Sequence, residues 1–212
     1  MIKEGVNEMT TFDFGSGPVP AHQHPNGGGW VADTATVSDT ACVGRAARVS
    51  DYAVVSDNVR VTDNARVYGN VRLTGNARVS GDVWVTGNAR VSGDAWVDGN
   101  VWVYGNAVVS DNAVVSDNAR LTGNARVTGY AKVSGKAEVS GDAWVDGNAE
   151  VSGDAWVDGN AWVYGDARVS GYAEVFGNAR VFDNAMVSGG NARVFDNAMV
   201  SGNTQVFGDK CW

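Results

Sequence analysis

The chain has 212 residues, a length typical of one domain. Its 24 acidic and 16 basic side chains give a formal net charge of −8. No apolar run reaches membrane-spanning length, and the acidic balance disfavours binding to double-stranded DNA. The two cysteines, Cys42 and Cys211, are expected to be reduced thiols, because they fall at opposite ends of the repeated region described below.

Residues 1–30 are the non-repetitive part of the chain, and we assign them as an N-terminal cap. The opening residues, 1–5, do not resemble a signal peptide, so a cytoplasmic location is expected. Residues 15–30 contain all three prolines, both histidines and a run of glycines. Two interpretations stay open: a folded cap whose prolines and glycines set turns, or a site for an anionic ligand.

A six-residue repeat occupies residues 31–207, which we assign to one repeat domain, followed by a C-terminal cap at 208–212. Valine recurs at every sixth position from Val31 to Val187 and, after one inserted glycine, at Val194, Val200 and Val206. Leucine replaces it only at Leu73 and Leu121. A small apolar residue stands two positions before each of these from Val37 to Val200, and Gly, Asn or Asp closes most units. Apolar residues at alternate positions predict short strands with one buried face, separated by turns.

Strands this short with the same pattern in every unit predict a parallel coil rather than hairpins. Three six-residue sides close one triangular coil, so thirty units form about ten coils. An interior of Ala and Val is too narrow for an internal ligand. Repeats of this kind stack into a single quasi-one-dimensional core.

Each unit exposes the two side chains that flank its valine, and the 18-residue period sorts these side chains onto three faces. The first face begins at Trp30, the second at Thr36 and the third at Cys42. Outward aromatic residues cannot serve the core, and they favour a homo-oligomer, either a trimer or a dimer. The predicted interface residues are Tyr68, Trp84, Trp102, Tyr104, Trp156, Phe176 and Phe195 on the first face, and Trp144, Trp162, Tyr164 and Phe182 on the second. The alternative is that these rings cover one another as ladders on adjacent coils.

The units resemble the hexapeptide-repeat family of left-handed parallel β-helices, as in Asn76-Ala77-Arg78-Val79-Ser80-Gly81 and Asp142-Ala143-Trp144-Val145-Asp146-Gly147. The resemblance implies an all-β, single-stranded left-handed helix of triangular coils. Glycine stands two residues after the valine, whereas the acyltransferases of the family more often have it immediately after. The variant is more similar to hexapeptide proteins of bacteria and their phages, which implies a host-cytoplasmic location if it is phage-encoded.

The resemblance also implies acyl transfer as an alternative function, and the residues argue against it. The family's acyltransferases use a histidine base between rods, but both histidines here, His22 and His24, lie outside the repeats. The carbonic anhydrases of this fold need three zinc-binding histidines, so we expect no metal site and no cofactor.

The sequence therefore predicts a non-enzymatic, self-associating β-helix that acts as a binding or structural module. A structural rod of a phage particle and an acyltransferase-like enzyme remain the alternatives. The expected partner, besides further copies of the chain, is a small anionic or nucleotide ligand or a host protein. The hypothetical ligand-binding residues are His22, His24, Gly27, Gly28, Gly29, Trp30, Arg45, Arg48 and Arg66, where guanidinium and aromatic groups could hold phosphate and base.

Overall fold

The alternation of small apolar and polar residues produces thirty short strands, each of which contains the recurring valine or the leucine that replaces it. The structure is a computed structural model that describes residues 10–208. Two further strands, β1 (Thr11–Asp13) and β2 (Pro18–Gln23), precede the repeats. The described residues contain no helix long and apolar enough to cross a membrane.

The strands of the repeats are, in chain order, β3 (Trp30–Ala32), β4 (Thr36–Val37), β5 (Cys42–Val43), β6 (Arg48–Val49), β7 (Val54–Val55), β8 (Arg60–Val61), β9 (Arg66–Val67), β10 (Arg72–Leu73), β11 (Arg78–Val79), β12 (Trp84–Val85), β13 (Arg90–Val91), β14 (Trp96–Val97), β15 (Trp102–Val103), β16 (Val108–Val109), β17 (Val114–Val115), β18 (Arg120–Leu121), β19 (Arg126–Val127), β20 (Lys132–Val133), β21 (Glu138–Val139), β22 (Trp144–Val145), β23 (Glu150–Val151), β24 (Trp156–Val157), β25 (Trp162–Val163), β26 (Arg168–Gly171), β27 (Glu174–Val175), β28 (Arg180–Val181), β29 (Met186–Gly189), β30 (Arg193–Val194), β31 (Met199–Val200) and β32 (Gln205–Phe207).

Three parallel sheets form the sides of a triangular rod, because each strand pairs with the strand three places further along the chain. The first-face sheet runs from β3 through β6 and β9 to β30, the second from β4 to β31 and the third from β5 to β32. Val85, for example, lies opposite Val103 of the next coil. The all-β class, the parallel β-helix and its ten triangular coils are therefore confirmed.

The interior of the rod consists of the recurring valine and the small residue two positions before it. From Ala41 to Val194 these side chains are at most 1% exposed, and Leu73 and Leu121 are the largest of them. Each Å² of apolar surface removed from water stabilises the folded state by about 25 cal/mol. The stacked coils share one continuous core of such residues.

The corners of the rod need a left-handed backbone at the position two residues after the valine. From Asp51 onward this position is glycine or aspartate, and φ is positive each time, as in Asp117 at 62° and Gly81 at 82°. A Cβ atom at Gly81 would lie 2.6 Å from the carbonyl oxygen of Gly99 in the next coil, which explains glycine there. Asp and Asn are the other residues that accept this conformation readily.

The N-terminal end of the rod is closed by antiparallel chain. Strands β1 and β2 form a hairpin, and β2 pairs antiparallel with β3, so the hairpin extends the first-face sheet. Residues 24–29 then cross the end of the coil, where Gly28 bridges to Gly44 at the edge of the third-face sheet. The predicted C-terminal cap falls mostly on residues 209–212, outside the described residues.

The inserted glycine in residues 188–190 is absorbed at one corner without a break in the sheets. Before the insertion Val157 pairs with Val175, and across it Val175 pairs with Val194, so this coil is longer by a single residue. Strands β26 and β29 are lengthened to four residues there. Phe195, which follows the insertion, therefore stays on the first face as predicted.

Candidate ligand groove and aromatic faces

The glycine run of the N-terminal cap is used for backbone pairing. The Gly29 N–H donates to the carbonyl of Val43 at 2.8 Å, and the Val43 N–H donates to the carbonyl of Asn26 at 2.9 Å. A Cβ atom at Gly27 would lie 2.3 Å from the Val43 oxygen. Gly28 donates its N–H to the carbonyl of His24 at 2.9 Å. These contacts fit the cap interpretation, because the N–H groups of Gly28 and Gly29 already donate to backbone carbonyls and are not free for an anion.

The two histidines have different surroundings. His24 is buried, and its Nδ1 lies 3.2 Å from the Asn26 carbonyl, while its Nε2 has no hydrogen-bond partner among residues 10–208. His22 is exposed, and its Nδ1 lies 2.8 Å from Oδ1 of Asp33. Within the described part of the chain, His, Cys, Asp and Glu side chains form no group of three that could hold a metal ion.

A surface groove lies between the β1–β2 hairpin and the first face. Its volume is about 590 Å³, and its walls include Phe14, Val19, Tyr68 and Trp84 together with Arg48 and Arg66. The Arg48 guanidinium carbon lies 5.2 Å from the Phe12 ring centroid, and that of Arg66 lies 5.0 Å from the Trp84 ring. Neither guanidinium has an ion pair within residues 10–208.

Of the nine hypothetical ligand-binding residues, only Arg48 and Arg66 line this groove. Trp30 stacks on Phe12 behind it, with ring centroids 4.5 Å apart, and Arg45 lies at the coil end beside Gly28. Phe12, Phe14 and Ser16 were missed by the sequence analysis. Their signal was the alternation of Phe12 and Phe14 before a Gly-Ser-Gly turn, which is typical of a hairpin.

From the second to the sixth coil, the first face carries a continuous column of cationic and aromatic side chains. Trp84 and Trp102 stack with centroids 5.5 Å apart and planes at 8°, and Arg66 and Arg120 cover the two ends of the pair at 5.0 and 5.6 Å. The ladder alternative is thus present, but it leaves Trp102 44% exposed. The other predicted interface residues of this face lie on a strand of the same sheet or directly after one: Tyr68, Tyr104, Trp156, Phe176 and Phe195.

Charge changes sign along the first face. Arg48, Arg66 and Arg120 stand on strands β6, β9 and β18, in the second, third and sixth coils. Glu138 and Glu174 stand on strands β21 and β27, in the seventh and ninth coils, and Asp158 directly follows β24 in the eighth. One further arginine, in the tenth coil, pairs within the chain, since Arg193 Nε lies 3.0 Å from Glu174 Oε2.

The second face carries a compact aromatic cluster near its C-terminal end. Trp144 and Trp162 meet edge to face with centroids 5.3 Å apart, and Tyr164 stacks on Phe182 at 5.0 Å with planes at 2°. Trp144, Trp162 and Tyr164 surround, with Asp146, a depression of about 240 Å³. All four predicted interface residues of this face therefore lie together.

A short hydrogen-bond chain fixes two of the tryptophans. Trp144 Nε1 donates to Thr128 Oγ1 at 2.9 Å, and that hydroxyl donates to Asp146 Oδ1 at 2.8 Å. Trp156 repeats the arrangement through Ser140 and Asp158, at 3.2 and 2.9 Å. An indole that both stacks and donates a hydrogen bond loses rotational freedom, so its ring is held in place.

Comparison with a repeat-family model supports the fold. A family model described as the YdcK Beta solenoid repeat matches residues 65–81, 102–117 and 192–208. Comparison with curated proteins finds no match. Among solved structures, the chain is similar to the UDP-N-acetylglucosamine acyltransferase of Francisella novicida at 16% identity with a TM-score of 0.36. The alignment covers 80% of this chain and 65% of that one, less than two thirds of its length. The repeat-family match and the sheet topology together confirm a hexapeptide-repeat type of parallel β-helix.

Proposed function

We propose that this hexapeptide-repeat β-helix acts without catalysis, as a binding or structural module that pairs with a second copy of itself through its first face. The observation that carries the proposal is the set of exposed aromatic side chains on that face, where Trp102, Tyr104 and Trp156 are 44%, 40% and 41% exposed. Aromatic and arginine side chains are the residues enriched at protein interfaces.

The charge pattern of the first face favours an antiparallel dimer. A two-fold axis between the fifth and sixth coils would place Trp102 of one copy against Arg120 of the other. The same axis would place Trp84 opposite Glu138 and bring Arg48 to the level of Glu174. Such an isologous contact joins Arg48 to Glu174, which also pairs with Arg193 of its own chain, and covers the exposed rings in one closed pair. A parallel pair would put arginine against arginine.

The test compares two tryptophans of equal exposure on different faces. Trp102→Ser removes the centre of the proposed contact, and Trp96→Ser, 45% exposed on the third face, is the matched control. Since central aromatic residues dominate interface energies, we expect Trp102→Ser to weaken dimerisation about tenfold or more and Trp96→Ser to leave it unchanged. Native mass spectrometry and sedimentation across a concentration series measure both.

Each outcome decides the proposal. A wild-type monomer at all concentrations would refute self-association, and a trimer would refute the antiparallel pairing. Equal effects of Trp102→Ser and Trp96→Ser would show that the first face is not the contact. Circular dichroism on each variant separates loss of pairing from loss of fold.

A second function is favoured by the groove beside the hairpin, where Arg48 and Arg66 meet aromatic walls. That combination suits a nucleotide, whose base would stack on a ring and whose phosphate would meet the guanidiniums. Adenosine monophosphate is the probe, with tryptophan fluorescence as the readout. Arg66→Gln should weaken binding about tenfold, as expected for a charged hydrogen-bond partner, whereas Arg78→Gln on the third face should not. Absence of binding by the wild-type protein would remove this function.

A further inference from the structure

Four side chains on the second face form a concave cluster that self-association through the first face does not use. Trp144 and Asp146 come from the seventh coil, and Trp162 and Tyr164 from the eighth. The two indoles meet at an interplanar angle of 71°, so they form two adjacent walls around the depression of about 240 Å³. Trp162 is 39% exposed, so the depression opens to solvent.

The cluster is held in shape without a ligand. The hydrogen-bond chain through Thr128 fixes Trp144 and one oxygen of Asp146, and Phe182 supports Tyr164 from the next coil. The second oxygen of Asp146, Oδ2, has no hydrogen-bond partner within residues 10–208. A preorganised site loses little conformational freedom on binding.

The chemistry of these walls selects an alkylated ammonium group. Three electron-rich rings and a carboxylate attract a diffuse cation that is too weakly hydrated to need hydrogen bonds, and aromatic cages bind quaternary ammonium ligands in this way. The perpendicular arrangement of Trp144 and Trp162 gives the depression two walls rather than one flat platform.

Two arginines flank the cluster and define the rest of the ligand. The guanidinium carbon of Arg180 lies 5.0 Å from the Trp162 ring, and the exposed Arg126 stands one coil before Trp144. These cations would repel a simple ammonium ion, but they would attract an anionic group attached to it. We propose that the cluster binds a trimethylammonium zwitterion of the phosphocholine type, with the ammonium among the rings and the phosphate beside Arg180 or Arg126.

The chain itself supplies a matched control, because the motif Trp-Val-Asp occurs three times. Trp96 and Asp98 on the third face repeat the arrangement, and Ser80 donates to Asp98 at 2.8 Å as Thr128 does to Asp146. Trp96 pairs with Val114 of the next coil, whereas Trp144 pairs with Trp162. The third face therefore has one wall of the cage and lacks the second.

Isothermal titration with phosphocholine tests the proposal, with the neutral tert-butyl isostere of choline as the uncharged comparison. Since each ring contributes through cation–π attraction, we expect Trp162→Leu to weaken binding roughly tenfold and Trp96→Leu to leave it unchanged. Arg180→Gln should weaken phosphocholine binding while leaving choline binding unchanged or stronger. Flotation with phosphatidylcholine vesicles distinguishes a lipid headgroup from the free zwitterion, and binding in either form supports the chemistry.

Three results would overturn the proposal. The first is no binding of phosphocholine in either form by the wild-type protein. The second is equal binding of the uncharged isostere, which would reveal an ordinary apolar patch. The third is a Trp162→Leu variant that alters the oligomer mass, because the cluster would then belong to an interface. The first-face dimer is tested by oligomer mass, whereas phosphocholine binding is tested by titration. If the protein proves to be a monomer, the titration result can still be interpreted.

Discussion

Aspartate at the rod corners does more than tolerate a left-handed backbone. Asp117 Oδ2 accepts a hydrogen bond from the Gly135 N–H of the next coil at 2.9 Å, and Asp51 and Asp57 do the same toward Gly69 and Gly75. In each of these contacts the corner residue of the next coil is glycine. Two aspartate carboxylates therefore do not lie one above the other at these corners. The corner aspartates thus join adjacent coils outside the sheets.

Substitution at Asp117 separates the two roles of this side chain. Asp117→Ala loses the hydrogen bond and places alanine in a left-handed conformation, so we expect the free energy of unfolding to fall by about 1–3 kcal/mol. Asp117→Gly loses the hydrogen bond alone and should cost less. Guanidinium unfolding followed by circular dichroism measures both, and a more stable Ala variant than Gly variant would contradict this account.

At the scale of the coil, the sequence predicts which side chains point inward and which share a face. The alternation around Val85 and the 18-residue period place Trp84 over Trp102 before any coordinates are known. Sequence reasoning does not place the hairpin, because residues 10–29 have no repeat to fix their register. The contact of Phe12 with Trp30, and hence the groove, depends on how the hairpin folds onto the face.

The narrow interior of the coil limits the size of core residues. Ala89 is fully buried, and the equivalent residue of the preceding coil is Val71. Ala89→Val should therefore change the free energy of unfolding by less than about 1.5 kcal/mol, while Ala89→Phe overfills the triangle and should cost about 3 kcal/mol or more. Thermal unfolding of the two variants checks this. Equal midpoints would mean that the coil widens freely.

At the scale of the whole molecule, the rod behaves as a stack in which each coil contacts only its neighbours. Removal of residues 105–122 deletes one coil and keeps every later residue on its own face. Removal of residues 105–110 deletes one side, and each residue after the cut moves to a neighbouring face. The two deletions differ in geometry although both preserve the repeat.

We expect both deletion variants to retain the circular dichroism of β-structure, with a lower unfolding temperature, because local repeat contacts are preserved. The 18-residue deletion removes Arg120 but leaves Trp84 level with Glu138 and Arg48 level with Glu174 about an axis at Trp102, so pairing between copies should persist. The six-residue deletion should abolish pairing, since Glu138 and Glu174 then leave the first face. Native mass spectrometry distinguishes them. Pairing by the six-residue variant would show that face alignment is unimportant.

The antiparallel hairpin at the N-terminal end has a consequence for how the chain is made. Strands β1 and β2 both lie within the short segment from Thr11 to Gln23, so they can pair before the repeats that follow them are synthesised. Strand β2 then offers a formed edge to β3 as it leaves the ribosome, and each finished coil becomes the template for the next. Folding would proceed in the direction of translation, and no strand would wait long for its partner.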